Sequence, residues 1–280
     1  MKQVILILVI LSSLFVKVSA QDGVPQPLVV NSGSSMYAAI FGGYFTDKLQ
    51  DGYYQGGYLS TQPLKAGNLS LGLYAMMNHC SFKNYVIGAY KGSSMSFEAG
   101  PSIAYWFDVN DITGLYASFN FGIKYSSSTG ESHSKTWLSE QSDYLVTSCL
   151  SLVLVRNSDI LPRSQLYLAF QKPIDSRNMA AWENKLVEKD NWDLTNIELQ
   201  SKFNLCDILI KDYMCISPKI ILGYAHYGLI SNSSESFNLG IEAGYHEESF
   251  DDDYSIFLIM KMRNNRDPQY VVGGTINFII

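Results

Sequence analysis

Past its first twenty residues, the chain has no apolar run approaching the roughly 18 residues that a membrane-spanning helix needs. Charge is also scarce. Charged residues make up 16% of the sequence, against about 25% in an average soluble protein. Basic residues do not dominate what charge there is: 20 Lys and Arg face 26 Asp and Glu, a net charge of −6. That balance argues against a nucleic-acid partner, which an excess of positive charge would favour. Only four His and four Cys occur, and apart from the adjacent His79-Cys80 no pair has ligand spacing. Asp251-Asp252-Asp253 lacks the spacing of a calcium loop. There is no phosphate loop, dinucleotide fingerprint or metal-protease helix. No metal, cofactor or catalytic residue is expected.

What is present is alternation. From Leu115 to Tyr125, the residues Leu115, Ala117, Phe119, Phe121, Ile123 and Tyr125 are apolar. Between them stand Tyr116, Ser118, Asn120, Gly122 and Lys124. Successive side chains of a strand point to opposite faces, so this is one oily face and one wet face. The pattern recurs around 69–77, 96–107, 196–205, 237–246 and 270–280, and more weakly at 36–47, 53–62, 82–90, 144–156, 164–172, 216–227 and 254–263. Many runs are near the 9–11 residues of a transmembrane strand rather than the 5–6 of a globular one. Aromatics make up 13% of the chain, with 19 Tyr. They gather near strand ends (Tyr105-Trp106-Phe107, Tyr125, Tyr254, Tyr270, Phe278), where an amphipathic ring prefers the membrane–water interface. No helix is in evidence to cover the oily faces, and a soluble barrel of so many strands would be too wide to fill. The expectation is an all-β, antiparallel up-and-down transmembrane β-barrel, with a soluble periplasmic β-protein as the competing reading.

The wet face carries large polar groups in mid-strand. Glu98, Asn120, Lys124, Glu198, Lys202, Glu242 and Lys261 are the candidate lumen-lining residues. Such charges either set the selectivity of a pore or plug it with ion pairs.

The ends of the chain fit export. Lys2, the apolar stretch from Val4 to Val18 and the small residues of Val18-Ser19-Ala20 have the three-part pattern of a cleaved signal peptide. Residues 1–20 are assigned to it, 21–34 to a short periplasmic segment and 35–280 to the barrel. Export implies an oxidising compartment, in which Cys206 and Cys215 could close a hairpin by a disulfide.

At this point the sequence resembles bacterial outer-membrane β-barrel proteins. Those proteins end on an amphipathic strand whose last residues are read by the insertion machinery. The matching positions here are Gly273, Ile276, Phe278 and Ile280, with the aromatic two residues before the end. The resemblance implies an outer-membrane location and, as partners, membrane lipid and the insertion machinery. A non-enzymatic channel, passive transporter or scaffold is expected, acting on small solutes or envelope proteins. Gln21-Asp22 is similar to the mature start of an envelope-secretion barrel family of gliding bacteria, whose Asn-Pro-Ala signature is absent here. That similarity implies the anchoring of protein partners. His226 with Ser231-Asn232 is faintly similar to the His-x-Ser-Asn segment of outer-membrane lipid A deacylases, although Leu229 stands where the motif has His. That similarity would imply a lipid-modifying enzyme.

The longest connections, Ser126–Asp143 and Pro173–Asn191, are expected on one side, the outside. Ser126-Ser127-Ser128 and Ser231-Asn232-Ser233-Ser234 read as loops, and Gln62-Pro63 and Gly92-Ser93-Ser94 as turns. Trp182 with Leu186 and Glu183 with Val187 are four apart, which fits a short helix in the second long connection or a disordered tip. Loop parity gives 12 strands, or 14 if Pro27–Asn31 adds one.

Overall fold

A computed structural model describes residues 36–48, 50–84, 90–110, 113–131, 137–156, 164–182, 185–188, 196–206, 208–211, 214–227, 234–247, 254–263 and 267–279. The expected signal peptide, the segment 21–34, Ser231-Asn232, Asp251-Asp252-Asp253 and Ile280 lie outside these residues.

The strands are β1 (Met36–Thr46), β2 (Gln50–Ala66), β3 (Leu69–Asn84), β4 (Tyr90–Asn110), β5 (Thr113–Glu131), β6 (Trp137–Arg156) and β7 (Ser164–Trp182). They continue with β8 (Lys185–Glu188), β9 (Asn196–Asn204), β10 (Ile208–Lys211), β11 (Met214–Tyr227), β12 (Ser234–Glu247), β13 (Tyr254–Arg263) and β14 (Gln269–Ile279). Each pairs antiparallel with its neighbour, and β1 pairs β14 in an unbroken ladder from Tyr37–Ile279 to Thr46–Tyr270. The sheet therefore closes on itself and has no free edge in the barrel wall. β8 and β9 lie on β7 in one common register (Trp182–Lys185 and Gln171–Asn196), so they are two parts of one stave. β10 continues that stave alongside β11. Fourteen segments thus make a barrel of 12 staves.

The oily faces point out. Phe119 is 43% exposed and Phe121 47%, while Tyr116 and Ser118 on the opposite face are buried. Phe97, Ile103, Leu199, Phe203, Phe237, Ile241, Val272 and Ile276 are likewise exposed on their strands. Buried inside are Gln62, Glu98, Thr147, Gln200, Lys202, Asn238, Glu242 and Lys261. A globular protein would invert this arrangement, so the chain is a transmembrane barrel and the soluble reading falls. Tyr105 with Phe107 (ring centroids 4.4 Å apart) and Tyr125 with Tyr144 (5.1 Å) edge the apolar band.

Several local expectations are corrected. The run 82–90 is not a separate strand; its ends belong to β3 and β4, which removes the odd strand and gives 12. Gln62-Pro63 is a bulge within β2, where register shifts between Thr61 and Leu64. Gly92-Ser93-Ser94 lies inside β4, and Ser126-Ser127-Ser128 inside β5, paired to β6 from Ser126–Asp143 to Ser128–Gln141. Residues 176–182 are the end of β7 and pair with β6; Met179–Trp182 also pairs with β8, so no helix forms there. Apart from the Gln62-Pro63 bulge, which lies near the β2–β3 turn with Gln62 turned into the lumen, these are places where the chain rises past the apolar band. With water on both faces it needs no period-two pattern, and backbone pairing alone holds it. β4 to β7 are 19 to 21 residues long against 10 to 11 in β1, β13 and β14. They project as a polar wall from the end of the barrel opposite the chain termini, called here the distal end.

At the terminal end β2 turns tightly into β3 through Gly67-Asn68, with Gly67 at φ 61°, a conformation that costs glycine little. Beside this turn, a Cβ on Gly72 would lie 1.6 Å from the Thr61 carbonyl oxygen. Gly72→Val should therefore abolish the heat-modifiable folded band on a semi-native gel. An unchanged band would show that the bulge can relax.

Candidate functional site: the barrel interior

The interior wall is divided. One sector, on β13, β14, β1, β2 and β3 with Ile221 of β11, is apolar and built from Phe41, Phe45, Tyr54, Phe82, Phe257, Ile259 and Val271. Its rings lie across inward-facing glycines of neighbouring strands. A Cβ on Gly52 would meet Phe45 at 2.5 Å, one on Gly56 would meet Phe41 at 2.4 Å, and one on Gly92 would meet Phe82 at 2.4 Å. Without side chains beneath them, the rings lie along the wall instead of standing into the lumen.

The remaining wall mixes two smaller aromatic clusters, around Tyr58 and Tyr74 and around Tyr116 and Val153, with polar side chains, and it holds two tiers of charge. In the tier nearer the terminal end, Lys202 on β9 donates to Glu242 Oε2 on β12 at 2.6 Å, and Lys219 on β11 lies 3.6 Å from Glu242 Oε1. One carboxylate thus holds two ammonium groups, both nearly buried. In the tier nearer the distal end, Glu98 Oε1 accepts from Tyr74 (2.7 Å) and Thr147 (2.8 Å), and Lys124 donates to Gln171 Oε1 at 3.4 Å. Glu98 and Lys124 are direct cross-strand partners, and Glu198 faces the same space from β9. Lys261 is 1% exposed. At the distal rim, Arg263 pairs with Asp47, whose other oxygen accepts from the Gln50 amide and closes the β1–β2 turn.

Hydrogen bonds also span the interior between strands that are not neighbours. Gln62 on β2 donates to the Tyr116 hydroxyl on β5 at 2.8 Å, and Asn120 on β5 donates to the Tyr58 hydroxyl on β2 at 3.5 Å. Both bridge over β3 and β4. The Tyr74–Glu98–Thr147 set links β3, β4 and β6, with the Tyr74 hydroxyl lying over Gly122. These chords fill much of the lumen beside the β2–β6 wall.

All seven residues named from the sequence therefore stand on the inner wall: Lys202 pairs with Glu242, while Glu98, Lys124 and Asn120 each have partners outside the set. What the wet-face pattern did not supply is their partners, Tyr58, Tyr74, Thr147, Gln171 and Lys219, or the Gln62–Tyr116 bond. Tyr116 already stood on the wet face of the 115–125 pattern, but no local pattern gives the strand that an inward tyrosine reaches across the lumen. No disulfide joins Cys206 and Cys215, and Cys206 is exposed. The residue facing Cys215 across the β10–β11 ladder is Leu209, so backbone pairing and not a disulfide closes that hairpin. Gly273 faces inward beneath Tyr54 and Phe257, whereas Ile276 and Phe278 lie on the oily face. His226 sits near the distal rim, 4.0 Å from Glu235.

No protein-family model matches the chain, and no curated protein matches its sequence. Solved structures match by shape. The translocator domain of the autotransporter NalP from Neisseria meningitidis aligns over 89% of this chain and 90% of its own, with 11% identity and a TM-score of 0.54. The COG4313 outer membrane channel from Pseudomonas putida F1 aligns over 92% of this chain and 100% of its own, with 10% identity and a TM-score of 0.52. At such identities the likeness is one of fold: a bacterial outer-membrane β-barrel.

Proposed function

We propose that this chain is a non-enzymatic outer-membrane barrel that serves as a narrow channel or passive transporter for small polar solutes, with its termini on the periplasmic side. The observation that carries the reading is unused hydrogen-bonding capacity inside the wall. Glu98 Oε2, Glu198 Oε1, Gln200 Oε1 and Asn238 Oδ1 are buried and have no hydrogen-bond partner among the described residues. Buried polar atoms demand partners, and in a lumen these are water or a passing solute. A barrel that served only as a plug would gain from an apolar filling at these positions. The chords make the resting path narrow. A barrel of eight strands is filled by its own side chains and one of 16–18 leaves an open channel; twelve lies between.

In planar bilayers the purified protein should give small discrete conductances, and Tyr74→Ala, which removes a chord, should raise them several-fold. Silence of both proteins in all salts would overturn the channel reading. A second reading, an envelope barrel that holds protein partners, is supported by the polar wall of β4 to β7. If it is correct, crosslinking on whole cells should capture partners through this wall; no enrichment over a variant shortened at 126–143 would count against it.

A further inference from the structure

Outside the barrel, where β14, β1 and β2 meet, the apolar band is interrupted by a trough of about 530 Å³. Its origin lies in the strand register. Tyr254, Ile276, Ile40, Gly57 and Met77 form one row of direct partners across β13, β14, β1, β2 and β3. Ile256, Gly274, Gly42, Gln55 and His79 form the next row on the same face. The second row is bulky at both ends and reduced to backbone at Gly274 and Gly42, and Gly57 opens the first row beside Gln55, so the outward members of Gly42-Gly43, Gly56-Gly57 and Gly273-Gly274 lie together at the closure of the barrel. The inward members of the three pairs are covered by Tyr54, Phe41 and Phe257.

We infer that this trough binds one acyl chain of a membrane phospholipid in a fixed position. The apolar band lies in hydrocarbon, so what fills a trough in it must be apolar. The bared backbone is confined to Gly274, Gly42 and Gly57, which admits a single chain and not a second sheet. Its four inter-strand steps of about 4.8 Å each give about 19 Å, a run oblique to the membrane because the strands tilt by about 35–45°, and its rise stays within one leaflet, about half of a hydrocarbon core about 30 Å thick. The polar residues lie toward its distal end: Gln55 and His79, with the His79 ring 6.0 Å from that of Tyr53. They place hydrogen-bonding groups where the ester and phosphate oxygens of a lipid in the distal leaflet would lie. Glycine within a strand otherwise weakens the ladder, and its presence marks a close approach by something else.

The inference rests on the transmembrane placement and not on conduction, so a silent bilayer recording leaves it standing. The test uses the full barrel in phosphatidylethanolamine vesicles with a trace of phosphatidylglycerol bearing a diazirine on one acyl chain. Adducts should concentrate several-fold on the peptides holding Ile40, Met77 and Ile256 relative to the peptide holding Phe119 to Ile123. Gly42→Leu and Gln55→Trp should each abolish the enrichment while the heat-modifiable band is retained; the second leaves every glycine in place, in case the first does not fold. Uniform labelling around the band, enrichment unmoved by Gln55→Trp, or chain–chain crosslinks across the trough, which would mean a second copy sits there, would each overturn the proposal.

Discussion

Glu242→Gln is expected to cost about 3–5 kcal/mol, the usual penalty for leaving buried charge without its partner. Glu242 is the shared counter-charge of Lys202 and Lys219, and the Lys202–Glu242 pair is only 8% and 3% exposed. Glutamine keeps the shape and one acceptor but removes the charge that offsets the desolvation of two ammonium groups. Domain stabilities are of order 5–15 kcal/mol, so the variant should unfold at clearly lower urea concentration in gel-shift titrations. Lys202→Met, Lys219→Met and Glu242→Met together should recover much of the loss, because an apolar set of similar volume removes the desolvation cost of all three charges. Equal stability of wild type and Glu242→Gln would show that water solvates this tier well enough to replace the carboxylate. Glu242→Gln should also move the reversal potential toward anion preference, since a negative lumenal charge is lost while Lys202 and Lys219 remain.

The second large effect concerns the outer face. Phe119 lies within the apolar band of β5 and Asn120 on its inner wall. An arginine facing lipid near the bilayer midplane costs about 2–4 kcal/mol, so Phe119→Arg should sharply reduce the folded, inserted fraction. Asn120→Ser removes only the 3.5 Å bond to Tyr58 and should cost less than about 1.5 kcal/mol. Nitroxides at the same two positions in a cysteine-free background give an independent readout. The label at 119 should collide mainly with oxygen and the label at 120 mainly with a water-soluble nickel chelate. The reverse order would place the oily face inside and end the membrane assignment.

The quality of the alternation along the chain can now be explained. It is clean from Leu115 to Tyr125 because β5 has lipid on one side and Ser118, Asn120 and Lys124 on the other. It is weak at 36–47 and 254–263 because those strands are apolar on both faces: Phe41, Phe45, Phe257 and Ile259 point inward, opposite Tyr44, Tyr254 and Ile256. It vanishes at 126–131, where β5 has left the bilayer and is polar on both faces. The weak stretches 36–47 and 254–263 therefore belong to the aromatic sector of the lumen wall, and the vanished one was the projecting sheet.

Amino-acid order alone determined that the strands are two-faced, that most are long enough to cross a bilayer, that no helix covers them, and which charged residues share the wet face. These are local properties, set by a side-chain period of two and by strand length. Tertiary structure alone decided that β1 closes on β14, that β8 and β9 form one stave, that Tyr58, Tyr74 and Tyr116 bridge strands far apart in sequence, and that three Gly-Gly pairs coincide to bare the wall at the closure. Register between strands is non-local. A shift of one residue would turn every side chain to the other face, and no local pattern records which residue of a distant strand stands opposite.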